Sequence, residues 1–298
     1  MKKPIPLDLK TLQQWALPMP GSDADKEVRG HVLIVAGSRE IPGAALLAAS
    51  AAMRAGAGKL TVATAESVAI ELALALPEAR VIALPESDSG GLESEGVEGL
   101  LECLNTCCAM LVGPGLMDAE TTSGFVKRLL ENSRSLPCVL DALAMDAALL
   151  GMVFTQPVLL TPHAGEMAHL TGAPKTAILE DPVTAGQELA SRLRAAVVVK
   201  GATTILATPD AGTWSHTAAV PGLATSGSGD VLAGLIAGLA ARGASLEQAA
   251  AWGIVVHAQA GERLARRFGP IGYLARELLD ELPALLHQAR PTPEPLVC

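Results

Sequence analysis

Aromatic side chains are scarce in this chain: three Trp, three Phe and one Tyr among 298 residues, 2% of the total. With so few large rings, the core has to be filled by Ala, Leu and Val. The 29 glycines point to close backbone approaches, which suits layered α/β packing. Charge is sparse too, at 18%, and it is unbalanced. A formal net charge of -9 excludes a broad basic surface for non-specific nucleic-acid binding but leaves room for a local phosphate pocket. Cysteine is rare and odd in number at five. Cys103, Cys107 and Cys108 lie in an apolar stretch without disulfide-framework or C-x-x-C spacing, so they read as buried reduced thiols. Long unbroken apolar runs are missing because Gly and Pro interrupt them, which argues against a membrane-spanning helix. Met1-Lys2-Lys3 leads into Pro4 and Pro6 rather than an apolar run, so no secretory signal is expected and the cytoplasm is the expected compartment. No charged or Pro/Ser-rich linker divides the middle of the chain. The expected organisation is an N-terminal extension at 1–27, one domain at 28–290 and a tail at 291–298.

From His31 onward one rhythm repeats: a short apolar run ending in Gly, Pro or a polar residue, then an Ala/Leu-rich segment of helical length. This is the βα signature of a mostly parallel sheet covered on both faces. Strands are predicted at Val32–Ala36, Leu60–Ala63, Ala79–Leu84, Ala109–Val112, Cys138–Asp141, Val158–Thr161 and Ala196–Lys200. Helices are predicted at Ala44–Ala55, Ala119–Ser133 and Val183–Arg194. Thr204–Ala207 and Thr213–His216 follow Lys200 closely, with Pro209-Asp210 and Gly212 between them, and read as antiparallel strands at a sheet edge. After Asp230 the pattern is helical to about Gln288, and Glu86–Gly99 reads as an acidic surface loop.

The strongest local signal is Thr225-Ser226-Gly227-Ser228-Gly229-Asp230, followed at once by an apolar helix. Two glycines let the backbone curl, and the helix aims unsatisfied N–H groups into the curl, so Gly227, Ser228 and Gly229 form a candidate anion hole. It is neither a Walker A loop nor a Rossmann fingerprint. The plain alternative is a core helix capped by Ser228 or Asp230. The helix terminus would keep Asp230 ionised and make it a weak base. Asn in its place is expected to change stability by no more than roughly 1 kcal/mol. Gly234 and Gly238, at helical spacing, read as close-packing positions. His163 and Lys200 end two different strands, where open α/β sheets present side chains to ligands. A core histidine and a snorkelling lysine are the alternatives. Asp141, another strand-end carboxylate, suits a hydrated Mg²⁺, although no metal ligand set is assigned.

Gly-Ser-Gly-Asp at 227–230 resembles the anion-hole motif of ribokinase-like phosphotransferases. The blocks Gly30–Ser38, Pro42–Ala45, Arg54–Gly58, Val112–Leu116, Leu160–Met167 and Val199–Ala202, in that order, resemble those of the ADP-dependent NAD(P)H-hydrate dehydratases. The resemblance implies a ribokinase-like three-layer sandwich, a mostly parallel central sheet with helices on both faces. It also implies hydrated NADH and NADPH as substrates, ADP as co-substrate with ATP as the alternative, Mg²⁺, and a homo-oligomer without nucleic-acid or membrane partners. Asp230 is implied as the catalytic carboxylate and, with Ala44, Gly115 and His163, as a substrate contact. Lys200, Gly201, Ala202, Thr203, Thr204 and Gly229 are implied as nucleotide contacts. His163 is expected to serve substrate rather than nucleotide because it closes a different strand from Lys200. Two positions depart from the family pattern: Leu143 replaces a second carboxylate after Asp141, and Ser226 replaces a Gly. No room is left for the fused epimerase domain of some members, so the chain is expected to act on one epimer. The rival readings are a vitamin-precursor or sugar kinase of the same superfamily and a non-catalytic nucleotide-binding module.

Overall fold

Ten strands form one sheet in the computed structural model, which describes residues 3–289 apart from 22, 24, 152, 153 and 211. The strands are β1 (Ile5–Pro6), β2 (His31–Val35), β3 (Lys59–Ala65), β4 (Ala79–Leu84), β5 (Ala109–Val112), β6 (Cys138–Leu140), β7 (Val158–Leu160), β8 (Ala196–Val199), β9 (Thr203–Ala207) and β10 (Thr213–Thr217). The helices are α1 (Leu9–Gln14), α2 (Pro42–Arg54), α3 (Ala69–Ala75), α4 (Leu101–Leu104), α5 (Ala119–Glu131), α6 (Ala164–Thr171), α7 (Lys175–Glu180), α8 (Pro182–Leu193), α9 (Ser228–Ala241), α10 (Leu246–Phe268) and α11 (Ala275–Gln288). The sheet order is β1-β10-β9-β8-β7-β6-β5-β2-β3-β4, parallel except where β9 pairs with β8 and β10.

Both faces of the sheet are buried, so its strands read as continuous apolar runs rather than as alternating ones. Period-2 geometry still divides them. Val32 and Ile34 of β2 face a layer of α2, α9, α10 and α11, while Leu33 and Val35 face a layer that includes α5, α6 and α8. The first layer is held close by small residues. A Cβ on Gly234 of α9 would lie 2.1 Å from the Ala48 carbonyl oxygen of α2, as expected of a close-packing glycine.

Two segments are more ordered than their sequence suggests. The acidic stretch expected to be a surface loop contains a short 3-10 helix, Ser94–Leu100, because Leu92, Val97 and Leu100 are buried against the α5 layer. The N-terminal residues join the sheet: β1 pairs in parallel with β10, Leu7 and Leu12 are buried, and Trp15 stacks on Trp214 at 5.8 Å between ring centroids. The expected tail at 291–298 lies outside the described residues.

The chain runs from β2 out to β4 and returns to β5 on the other side of β2. Neighbouring parallel strands there send their crossovers to opposite faces, and the resulting crevice at the strand carboxyl ends is where open α/β sheets bind ligands.

Candidate active site

The crevice between β2 and β5 is closed by backbone contacts: Gly37 N–H donates to the Pro114 carbonyl at 2.8 Å, and Gly113 N–H to that of Val35 at 3.0 Å. Ala44, in the first turn of α2, and Gly115, just after β5, meet here. A Cβ on Gly115 (φ +67°) would sit 2.7 Å from that of Ala44. One turn further along α2, Leu47 packs against the Gly-rich loop, within 2.5 Å of a Cβ built on Gly227.

Gly227 adopts φ +87°, a left-handed conformation that favours glycine, and serves as the N-cap of α9. No side chain caps this helix, so neither Ser228 nor Asp230 plays that part. Ser228 N–H turns back to the Thr225 carbonyl at 3.3 Å. The next two N–H groups, of Gly229 and Asp230, have no protein acceptor among the described residues, which makes them donors for an anion. Behind them lies His257 of α10, whose Nε2 is 3.0 Å from both the hydroxyl and the carbonyl oxygen of Ser228. Burial pushes the His257 pKa down to about 4, so at neutral pH it ties α10 to the loop as an uncharged ring.

Lys200, at the end of β8, is the centre of the charged cluster. Its Nζ lies 3.1 Å from Asp141 Oδ1 and 3.8 Å from Glu166 Oε2, and is 3.4 Å from where Gly229 would carry a Cβ. Burial alone would lower the Lys200 pKa, but Asp141, Glu166 and Asp230 outweigh it and the net shift is upward. Asp141 is buried and also accepts from the Thr161 hydroxyl at 2.6 Å. Asp230 is half-buried, and its pKa is pushed up to about 6, chiefly by burial and further by the charge of Asp141, with Lys200 pulling the other way. The helix terminus by itself suggests a readily ionised, weakly basic Asp230. Its surroundings instead make it a base whose pKa lies just below neutrality.

His163 is the N-cap of α6. Its Nδ1 accepts from Gly165 and Glu166 N–H at 2.9 and 3.1 Å, and the Glu166 carboxylate accepts from His163 N–H at 2.7 Å. With Nδ1 accepting, the ring proton is on Nε2, so the exposed edge of the ring is a donor. Although their strands differ, His163 and Lys200 are bridge partners at adjacent strand ends. Strand identity therefore does not separate their ligands.

A cavity of about 580 Å³ opens beside this cluster, lined by His163, Lys200, Gly201, Ala202, Thr204 and Gly229 on its polar side. Val220, Leu223, Leu232 and Ile254 form an apolar wall. Thr203 stands apart from this lining, with its hydroxyl paired to that of Thr217 across β9 and β10 at 2.9 Å. Ala44, Gly115 and Asp230 are not part of this lining. A second cavity of about 350 Å³ is bordered by Leu143, Asp146, His163, Glu166 and His169, so His163 faces both spaces. Leu143, where a second carboxylate was the family expectation, gives that space an apolar wall. His257 and the Val220–Leu223 wall carry no motif in the sequence and become visible only when α10 and the 3-10 helix Pro221–Leu223 fold over the loop.

Residues 32–284 match the family model of NAD(P)H-hydrate dehydratase. The ADP-dependent (S)-NAD(P)H-hydrate dehydratase of Xanthomonas campestris is 48% identical, over 91% of this chain and 93% of its own length. The bifunctional NAD(P)H-hydrate repair enzyme of Moorella thermoacetica is 39% identical over 94% of this chain, which spans 54% of that longer protein. In structure, the ADP/ATP-dependent dehydratase of Bacillus subtilis, co-crystallised with ATP and Mg²⁺, superposes with a TM-score of 0.84 at 30% identity, covering 97% of this chain and 99% of that one.

Proposed function

This chain belongs to the NAD(P)H-hydrate dehydratase family and has its ribokinase-like fold, and we infer that it is an ADP-dependent dehydratase of the (S)-hydrate of NADH and NADPH. It restores the reduced cofactor and releases AMP and phosphate. The observation that carries this reading is a half-buried Asp230 with its pKa pushed up to about 6, set at the mouth of an uncapped helix whose Gly229 and Asp230 N–H groups have no acceptor among the described residues.

The hydrate carries a hydroxyl on the ring carbon next to the nicotinamide nitrogen, and hydroxide is a poor leaving group at neutral pH. Transfer of the terminal phosphoryl group of ADP to that oxygen breaks the bond to AMP and turns the hydroxyl into a phosphate ester. Asp230, ionised for the most part at pH 7, accepts the hydroxyl proton as the oxygen attacks. The free N–H groups of Gly229 and Asp230 take the charge of the transferring group, and Lys200 holds the nucleotide phosphates beside them. The ring nitrogen's lone pair then expels phosphate, and loss of a proton from the adjacent carbon restores the double bond. Gly201, Ala202 and Thr204 seat the nucleotide against the apolar wall of the larger cavity, with Thr203 supporting the strand beneath. Ala44, Gly115 and the His163 Nε2–H meet the substrate, His163 from its position between the two cavities.

The donor set suits Mg²⁺. Three carboxylates surround one ammonium, and Asp141 keeps its second oxygen free of hydrogen bonds. Asp141 would hold the ion through its water shell, leaving Asp230 to act as the base, and the ion would neutralise charge on the nucleotide phosphates. The reading extends to a cytoplasmic homo-oligomer without nucleic-acid or membrane partners. Of this reading, the exclusion of nucleic-acid partners is supported by the net charge of -9, and that of membrane partners by the lack, among the described residues, of any helix long and apolar enough to cross a membrane.

Purified protein incubated with hydrated NADH, ADP and Mg²⁺ should regain the near-ultraviolet absorbance of NADH while releasing AMP and phosphate in equal amounts. A stable phosphorylated hydrate would make the protein a kinase instead. Nucleotide binding with no product would reduce it to a binding module.

A further inference from the structure

Away from the crevice, at the amino-terminal ends of β2 and β5, two sulfurs and an imidazole converge. Cys103 Sγ is 3.3 Å from Cys107 Sγ, Cys107 Sγ is 3.6 Å from His31 Nδ1, and all three ligand atoms lie within 4.8 Å of one another. We propose that His31, Cys103 and Cys107 form a binding site for a thiophilic divalent cation of the zinc class.

Two of the three spacings are close to those of a coordination polyhedron. Tetrahedral bonds of about 2.3 Å to sulfur and about 2.0 Å to nitrogen put ligand atoms roughly 3.5–3.8 Å apart. The contact between Cys107 and His31 already has that length, the sulfurs need to part by only a few tenths of an ångström, and the third pair, Cys103 with His31, lies within 4.8 Å. The ligands are also held in place by main chain. Cys107 N–H donates to the Cys103 carbonyl at 3.0 Å, a single helical turn that brings side chains four residues apart onto one face. Cys108 N–H donates to the His31 carbonyl at 2.8 Å, which pins that turn to β2. On the other side of the imidazole, His31 Nε2 lies 2.9 Å from the Thr61 hydroxyl. A proton on Nε2 donated to Thr61 leaves the Nδ1 lone pair facing the sulfurs, the supporting hydrogen bond that metal-ligating histidines usually make. His31 and Cys103 are 8% and 3% exposed, whereas Cys107 is only half-buried, so an ion would reach the site past Cys107 and take water as its fourth ligand. Cys108, exposed at the next position, is the natural control.

The site lies at the opposite end of β2 from the crevice, so the cation would clamp the turn after α4 to the sheet without touching the reaction. Binding releases the thiol protons and leaves two thiolates and a neutral imidazole around the ion.

The test is a titration of reduced full-length protein with Co²⁺, whose thiolate complexes give charge-transfer absorption, followed by displacement with Zn²⁺. One ion per chain should bind. Zn²⁺ should raise the melting temperature and protect Cys107 from alkylation by iodoacetamide. C103S and C107S should each weaken binding at least tenfold, C108S should leave it within twofold, and turnover of the hydrate should be unchanged by Zn²⁺ removal. Alkylation protection is read on the wild-type chain, so it decides the matter even if a Cys103 variant fails to fold. The proposal is overturned if no charge-transfer band appears, if the band survives in C103S and C107S, or if only C108S removes it. It also fails if thiol counting shows a Cys103–Cys107 disulfide that, once reduced, leaves the pair indifferent to Zn²⁺.

Discussion

Gly229 has room for a side chain: outside its own helix, a Cβ built there meets only the Lys200 Nζ, at 3.4 Å, and its φ is not left-handed. The backbone does not demand glycine here, in contrast to Gly227 with its φ of +87°. What a methyl would occupy is the approach of an anion to the helix N–H groups. Gly229→Ala should therefore keep or slightly raise the melting temperature, since Ala restricts the unfolded chain by about 0.4–1 kcal/mol. It should also weaken ADP binding at least tenfold by calorimetry, and unchanged affinity in a folded variant would remove the nucleotide from this loop. Asp230 makes the complementary case. Its folded pKa of about 6 lies above the ordinary 3.8, so ionising it costs the folded state more than the unfolded one. Stability linked to the protonated form is present below about pH 4 and is lost as pH rises through 6. Asp230→Asn removes that cost. The variant should be more stable than wild type by roughly 1–3 kcal/mol above pH 6, with the difference closing as pH falls towards 4. This replaces the near-neutral effect expected from helix capping alone. In activity the same carboxylate must be ionised, so wild-type kcat/KM should rise with pH through an acid limb near 6. Asp230→Asn should abolish that limb and lower kcat by about 10²–10⁴. A wild-type profile flat from pH 5 to 8 with chemistry rate-limiting would exclude Asp230 as the base.

At the scale of elements, the site depends on how closely α9 lies against α2. Both helices are rich in Ala and Gly, and the backbone of α2 runs where a side chain of α9 would otherwise stand, with Gly234 against the Ala48 carbonyl oxygen at 2.1 Å from its would-be Cβ. The start of α2 carries Ala44, and Leu47 braces the Gly227 loop, so the spacing of the two helices also sets the position of the anion hole. Gly234→Ala cannot be absorbed by a rotamer change because the obstacle is main chain. It should cost about 1–3 kcal/mol of stability as an overpacked core. It should also lower kcat, although residue 234 touches no ligand. Denaturant titration together with kinetics checks both, and a variant of wild-type stability would mean that the interface can slide apart freely.

For the molecule as a whole, the N-terminal segment belongs to the core. β1 covers the edge of β10, Leu12 is fully buried, and the Trp252 indole N–H of α10 donates to the Trp15 carbonyl at 2.8 Å. Leu12→Ala should cost about 2–5 kcal/mol in a single unfolding transition, since a buried leucine leaves a cavity behind. An effect below about 1 kcal/mol, or a separate early transition, would return residues 3–16 to the status of an appendage. Little in the sequence signals this docking, because Trp15 finds its partners, Trp214 and Trp252, about 200 residues or more away. Where information is local, the sequence was sufficient. Apolar runs mark the strands from β2 to β10 within a residue or two, Gly212 and Pro209 mark the antiparallel return, and Gly227-Ser228-Gly229 marks the uncapped helix start. These features depend on backbone sterics and on periodicity within a few neighbours. The proton affinity of Asp230 does not. Its own helix argues for easy ionisation, and the opposite outcome comes from burial and from Asp141, brought up by one strand and balanced by Lys200 from a second. The His31, Cys103 and Cys107 cluster and the support of Ser228 by His257 have the same origin. Desolvation and Coulomb energy depend on which atoms surround a group in space, and those atoms come from segments that only the completed sheet and its helices bring together.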